Sequence, residues 1–176
     1  MNVLRRMGVQ GILFVLAVLG VADAIYLTLA HYDDQVTLVC SESGFVNCTR
    51  VITSPYSYVP GTDLPISLPG LGWCLALAML AVVGIWWGDE RRWLRAAQFV
   101  WTLLGMVTVL YLVYIEIVVL HNLCAWCTVL HALITVAFLI TVVRLPARFS
   151  SEEELEEGED SQAISTPVQS SPFPPK

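Results

Sequence analysis

The sequence predicts an all-α membrane protein, a four-transmembrane-helix bundle with a long extracytoplasmic loop between helices 1 and 2. Of the 176 residues, 56% are hydrophobic and the mean hydropathy is +0.68, whereas soluble domains average about 45–50% apolar residues. Four apolar runs each approach or exceed the roughly 20 residues that a helix needs to cross a bilayer. The predicted spans cover about residues 8–30, 70–88, 96–120 and 123–143.

The first apolar run follows Arg5 and Arg6. A cleaved signal peptide is the alternative interpretation, because residues 22–24 read Ala-Asp-Ala, which resembles a cleavage site. The apolar run continues past this site to Ala30, which a cleaved segment would not require. We therefore predict a transmembrane helix.

Residues 31–69 are the only long polar connection, and they hold one cysteine pair. Cys40 and Cys48, here called the loop pair, are separated by seven residues. Prolines recur through the segment and exclude one continuous helix. We expect short helical or extended pieces on the membrane surface.

The second pair, Cys124 and Cys127, lies where the fourth span begins and is called the membrane pair. Its Cys-x-x-Cys spacing brings two sulfurs together on one helical turn. Asn122 is the predicted N-cap, which places Cys124 in the first turn, where unpaired N–H groups and the positive end of the helix dipole stabilise a thiolate. Cys124 is therefore predicted to exchange with an outside thiol, and Cys127 to lie deeper.

Basic residues set the orientation of the spans. Seven of the eight arginines fall on one side of a four-span arrangement, and only Arg50 falls on the other. The side rich in arginine is cytoplasmic, so both cysteine pairs are predicted to face the oxidising, extracytoplasmic side of the cytoplasmic membrane. Tryptophans are predicted to lie at the membrane interfaces: Trp73, Trp86, Trp87 and Trp93.

The acidic residues are concentrated at the C-terminal end. Residues 1–148, the predicted membrane domain, carry eight acidic and eight basic residues, so the net charge of −6 arises in residues 149–176. This acidic segment, rich in Ser and Pro, is predicted to be a disordered cytoplasmic tail. No basic surface indicates a nucleic-acid partner, so the expected contacts are with membrane lipid and protein.

Two dithiol pairs on one membrane face can pass electrons by thiol–disulfide exchange. The loop pair can meet a soluble partner, and the membrane pair can reach a two-electron acceptor that dissolves in lipid, which indicates a quinone. Two structural disulfides are one alternative. A zinc site of four thiolates is another, but the spacing of the loop pair is too wide, so no metal is predicted. Cys74 is interpreted as a small buried hydrophobe.

Three ionisable residues lie within the spans, where a charge is costly unless it faces the bundle interior or the outer interface. His131 shares a helix face with the membrane pair, because it follows Cys127 by four residues. Glu116 or His131 could handle the protons that a quinone takes up. The interpretation favoured at this point is that they hydrogen-bond each other or backbone groups between helices, and Asp23 is likewise interpreted as structural.

The sequence resembles the bacterial vitamin K epoxide reductase family over roughly residues 8–145. The segments that carry the resemblance are Tyr26-Leu27-Thr28, Cys40-x7-Cys48, Asn47-Cys48-x-x-Val51-x-x-Ser54, Tyr111-Leu112-Val113-Tyr114-Ile115-Glu116, and Cys124-Ala125-Trp126-Cys127-Thr128 followed by His131.

This resemblance implies an enzyme built as a four-helix bundle around a quinone, either menaquinone or ubiquinone. It implies that Cys40 meets a thioredoxin-fold partner, that Cys48 exchanges with Cys124, and that Cys127 works next to the quinone. Ser54 matches a loop serine of the family that lies near the quinone head group. Together with the Glu116 and His131 discussed above, it makes up the predicted quinone site.

Many bacterial members of this family carry a fused thioredoxin-like domain. This chain has no room for one, so a separate DsbA-like partner is expected. The function expected is a quinone-dependent thiol oxidoreductase that reoxidises a disulfide-forming partner. Reduction of a quinone epoxide, and a non-enzymatic membrane bundle with structural disulfides, are the alternatives.

Overall fold

A computed structural model describes residues 2–33, 36, 39–40, 44–87 and 92–144, with side chains from residue 8 onward. The chain divides into two compact units, Met1–Val142 and Val143–Lys176. The predicted tail, residues 149–176, lies outside the described residues.

Helices account for nearly all the regular structure of the described residues, which contain isolated β-bridges but no strand. Four helices are long and apolar enough to cross a membrane, which confirms the predicted fold class. The helices are α1 (Asn2–Tyr32), α2 (Cys48–Ile52), α3 (Ser67–Trp87), α4 (Arg92–Tyr114) and α5 (Ala125–Arg144), with a 3-10 turn at Pro55–Ser57 in the loop.

Helix α3 begins three residues earlier than predicted, at Ser67 rather than at residue 70. Pro69, predicted to belong to the loop, lies in the first turn of the helix. A proline is tolerated there, because the first N–H groups of a helix have no partner within it.

The bundle core is built from small and aliphatic side chains. Helix α1 makes its most extensive contacts with α3, and α5 adds Ala137 to the same cluster. Small residues let helix backbones approach closely, which is how helices associate in lipid. The buried members of the cluster are Leu13, Ala17, Leu77, Ala81 and Ala137.

Two pairs of polar side chains inside the bundle are hydrogen-bonded across helices. The Gln98 side-chain amide donates to Gln10 Oε1 (3.0 Å) and to the Leu80 carbonyl oxygen (3.2 Å). The Thr102 and Thr141 hydroxyls are 2.8 Å apart. Such bonds contribute about 0.6 kcal/mol each in membranes, so their main effect is to fix which faces of the helices meet.

Trp73 was predicted to lie at the membrane interface, and this prediction is wrong. Its indole N–H donates to the Trp101 carbonyl oxygen, the Trp101 indole N–H donates to the Trp73 carbonyl oxygen (3.1 Å each), and the rings stack with centroids 6.5 Å apart. Gly105 makes room for this pair, because a Cβ there would overlap the Trp73 ring. Trp86, Trp87 and Trp93 are exposed, as lipid-facing or interfacial residues would be.

Helix α4 widens at its end into a π-helical turn, Ile115–Val119. The Leu120 N–H donates to the Ile115 carbonyl oxygen, five residues back (2.9 Å). The chain then reverses through His121, whose φ of 51° is left-handed. Single π-helical turns are frequent at functional sites, and this one carries Glu116.

We predict that Gly105→Ala lowers the free energy of unfolding by about 1–3 kcal/mol, since overpacking a tight contact costs this much. Two hydrogen bonds and the stacked ring hold Trp73 in place, so the indole cannot shift easily. Unfolding of the protein in detergent micelles measures the change. Gly11→Ala is the matched control, because a Cβ there meets nothing within 4 Å. An equal loss in both variants would show that the indole contact is not responsible.

Candidate active site

The loop between α1 and α3 is joined by backbone hydrogen bonds to the residue that precedes the membrane pair. The Asn47 N–H donates to the Leu123 carbonyl oxygen (3.0 Å), and the Leu123 N–H donates to the Phe45 carbonyl oxygen (2.9 Å). These bonds form a parallel bridge between Val46 and Leu123. The bridge places the loop directly against the start of α5.

Helix α2 then presents Cys48 to the bundle. Asn47 is its N-cap, and the Asn47 side-chain oxygen accepts the Arg50 backbone N–H (2.8 Å). Such a cap contributes about 1 kcal/mol. The short helix turns Cys48 and Val51 inward, where both are buried.

Both cysteine pairs are disulfide-bonded, with Cα–Cα distances of 6.2 Å in the loop pair and 5.2 Å in the membrane pair. Cys48 and Cys124 are each 0% exposed and belong to one apolar cluster with Leu27. Cys40 and Cys127 are only partly buried. The two pairs therefore meet through their buried members, while each keeps one accessible member.

The predicted cap of α5 is wrong. Asn122 does not cap the helix; its side-chain amide donates to the Leu120 carbonyl oxygen (2.7 Å). Cys124 itself takes the N-cap position, because its carbonyl oxygen accepts the Thr128 N–H (2.9 Å) and its sulfur accepts the Cys127 N–H (3.2 Å). Cys124 thus precedes the first turn, and its sulfur lies at the unpaired N–H groups that favour a thiolate.

Glu116 supports this helix start from the π-helical turn. Its Oε2 accepts the Cys124 N–H (3.4 Å), and its carbonyl oxygen accepts the Asn122 N–H (3.1 Å). Of the interhelical hydrogen bonds predicted for the Glu116 and His131 side chains, only the one that Glu116 accepts from the Cys124 backbone N–H is present. The His131 ring makes no hydrogen bond to any residue that the structure describes. Asp23 is buried, and its carboxyl oxygens likewise have no partner within the described residues.

A cavity of about 490 Å³ lies beside the membrane pair, within the size range of cofactor sites. Four predicted site residues line it: Ser54, Glu116, Cys127 and His131. Its other walls are mainly apolar and include Leu27, Val51, Trp73, Trp101 and Val109. The remaining predicted residues, Cys40, Cys48 and Cys124, do not line the cavity.

Ser54 lines the cavity, but its hydroxyl already donates a hydrogen bond to the Val51 carbonyl oxygen (2.8 Å). The oxygen can still accept a hydrogen bond. His31 also lines the cavity, and it was not among the predicted site residues. It lies at the end of α1 without a motif around it, so no pattern in the sequence indicated that it would line the cavity.

A model of the vitamin K epoxide reductase (VKOR) family matches residues 11–142. The chain belongs to the VKOR family. This confirms the resemblance drawn from the five sequence segments, and it makes the protein a membrane oxidoreductase of thiol and disulfide groups. Proteins of the VKOR family generally use a quinone as electron acceptor and work with thioredoxin-like partners. No curated protein matches the chain.

Replacing Glu116 tests its support of the helix start. Glu116→Ala removes the acceptor of the Cys124 N–H, and we predict that this amide exchanges with solvent about fivefold faster, as expected for losing a bond of about 1 kcal/mol. Glu116→Gln keeps a side-chain oxygen and is expected to exchange at nearly the native rate. Hydrogen–deuterium exchange followed by mass spectrometry reports both. Native-like exchange in Glu116→Ala would contradict the assignment.

Proposed function

We propose that the protein reoxidises a separate, DsbA-like thioredoxin-fold protein and passes the electrons through its two cysteine pairs to a quinone. One observation carries the proposal: Cys48 and Cys124 are fully buried in the same apolar cluster. Exchange between the pairs then needs no large movement of the loop. Two purely structural disulfides would have no need of this arrangement.

Electrons enter at Cys40, the accessible member of the loop pair. A thiolate of the partner attacks the Cys40 sulfur, and Cys48 leaves as a thiolate. The second partner thiol then displaces Cys40, so that the partner leaves as a disulfide and the loop pair holds two thiols. The partner has lost two electrons and the loop pair has gained them.

The second exchange moves the electrons to the membrane pair. The Cys48 thiolate attacks Cys124, which breaks the Cys124–Cys127 bond and releases Cys127 as a thiolate. Cys40 then attacks Cys48, restoring the loop disulfide and releasing Cys124. The N–H groups at the start of α5 favour the thiolate form of Cys124, so it is a good leaving group in this step.

The cavity fits a quinone, because it offers apolar walls for a ring and polar groups at a few points. A bound quinone, menaquinone or ubiquinone, supplies an acceptor for two electrons and two protons. Cys127 lines the cavity, so one thiol of the reduced membrane pair borders this site. We assign the binding of the head group to Ser54, Glu116 and His131, and the two ionisable side chains are the candidates for handling protons.

We place both cysteine pairs on the extracytoplasmic side of the cytoplasmic membrane. Arg92 begins α4 and Arg144 ends α5, at the helix termini opposite those that adjoin the membrane pair. The positive-inside rule supports this orientation. Residues 1–148 are proposed to form the membrane domain.

Purified protein given a reduced thioredoxin-fold donor is expected to reduce an added quinone, followed by the change in quinone absorbance. We expect Cys124→Ala to fall to the rate of the mixture without enzyme, because no second exchange is possible. Cys74→Ala is the matched control, since Cys74 is a buried free cysteine outside both pairs. Equal rates in wild type and Cys124→Ala would rule out the relay. If the same protein and thiol donor reduce an added quinone epoxide, epoxide reduction is favoured instead.

Cys127→Ala should accumulate a disulfide between Cys48 and Cys124. The reason is that Cys127 can no longer attack Cys124 and reverse the exchange. Alkylation of free thiols, proteolysis and mass spectrometry identify the linked peptides. Finding only the loop disulfide under all redox conditions would count against direct exchange between the pairs.

A further inference from the structure

The backbone of Val39, next to Cys40, is hydrogen-bonded to two aromatic side chains from different helices. The Val39 N–H donates to the Tyr26 hydroxyl of α1 (3.2 Å). The Trp126 indole N–H of α5 donates to the Val39 carbonyl oxygen (3.1 Å). The two rings meet edge to face, with centroids 4.9 Å apart. We call these two side chains the Val39 clamp.

The clamp holds the backbone and not the side chain of residue 39. Val39 is 81% exposed, so burial of its isopropyl group does not keep it in place. Both of its backbone polar groups are bonded instead to side chains of the bundle. The grip fixes the position of the chain at Cys40 whatever side chain precedes it.

The clamp holds the residue before Cys40, and the Leu123 bridge holds the segment before Cys48. On the Cys48 side, the bridge at Val46 and the buried helix α2 hold the chain. On the Cys40 side, the clamp holds the backbone, and Cys40 itself packs against the apolar cluster. Once the loop disulfide opens, only the intervening stretch of backbone links these two anchors, and the clamp decides whether Cys40 stays near Cys48.

We propose that Tyr26 and Trp126 are positioning residues that hold Cys40 beside Cys48 while the loop disulfide is open, so that Cys40 can displace Cys124. This inference rests on the proposed function and adds to it the residues that control its last exchange. Trp126 lies between the two cysteines of the membrane pair, so the clamp ties the loop directly to the motif that receives the electrons.

The step that the clamp assists is an exchange within one chain. The Cys40 thiolate attacks the Cys48 sulfur of a Cys48–Cys124 disulfide, the Cys40–Cys48 bond forms, and the electron pair leaves on the Cys124 sulfur. One disulfide breaks and one forms, so no outside oxidant or reductant is needed. Holding Cys40 in place raises its effective concentration at Cys48, because less chain entropy is lost on closing the bond.

The experiment uses the full-length protein with Cys127→Ala, in its oxidised form. A single disulfide then distributes between the loop pair and the Cys48–Cys124 link, and alkylation with mass spectrometry gives the ratio of the two isomers. Adding Tyr26→Phe or Trp126→Phe removes one hydrogen bond of the clamp. We expect each to raise the ratio of the Cys48–Cys124 isomer to the loop isomer by about two- to tenfold, the range expected for one net hydrogen bond.

Tyr111→Phe in the same background is the matched control, because it removes the same hydroxyl from an exposed tyrosine of α4, and its ratio is expected to stay unchanged. The thermal midpoint of each variant shows whether it is folded, since a merely structural role would lower the midpoint without moving the ratio. An unchanged ratio in either folded clamp variant overturns the inference and leaves the relay standing. If Cys127→Ala alone forms no Cys48–Cys124 isomer, the relay and the clamp both fail.

Discussion

The backbone bridge between the loop and Leu123 is the contact on which the site depends. Ordering a loop costs about 1–2 kcal/mol per residue in backbone entropy, and two hydrogen bonds return only about 1 kcal/mol each. The bridge alone therefore cannot hold the loop in place. Burial of Cys48 and Val51, which belong to the loop, has to supply the remaining free energy. The bridge selects the register in which that burial brings Cys48 into the same apolar cluster as Cys124.

The π-helical turn at the end of α4 explains how a carboxyl side chain can lie at this depth. The turn leaves the carbonyl oxygen of Glu116 free to accept the Asn122 N–H, and the side chain accepts the Cys124 N–H. One residue thus satisfies two N–H groups of the α4–α5 connection. A regular helical end would direct the same carboxyl group elsewhere, and the start of α5 would lose an acceptor. The hydrogen bond from the Cys124 N–H offsets part of the free-energy cost of burying the Glu116 carboxyl group.

Composition and hydropathy were enough to predict the four spans, because a bilayer demands long apolar helices whatever their partners. The ordered set of five motif segments was enough to predict the family. The prediction of an Asn122 cap failed because Leu123 pairs with the loop, so that the helix begins only at Ala125 and the Asn122 side chain bonds to Leu120 instead. The prediction for Trp73 failed because an interfacial and a cavity-lining tryptophan look alike in sequence. Only the opposing Gly105 and Trp101 distinguish them.

Each disulfide has one buried and one accessible cysteine, and in the proposed relay this asymmetry sets where a partner's thiol can enter. A water-soluble thiol can reach Cys40, but it cannot reach Cys48 or Cys124, which are both fully buried. The exchange between the two pairs is therefore shielded from competing thiols, which would otherwise intercept the intermediate. The same burial keeps water from the sulfurs, so that nearby dipoles such as the N–H groups of α5 act on them at full strength. In the proposed relay, Cys40 is the point of entry and Cys127, at the cavity, is the point of exit for the electrons.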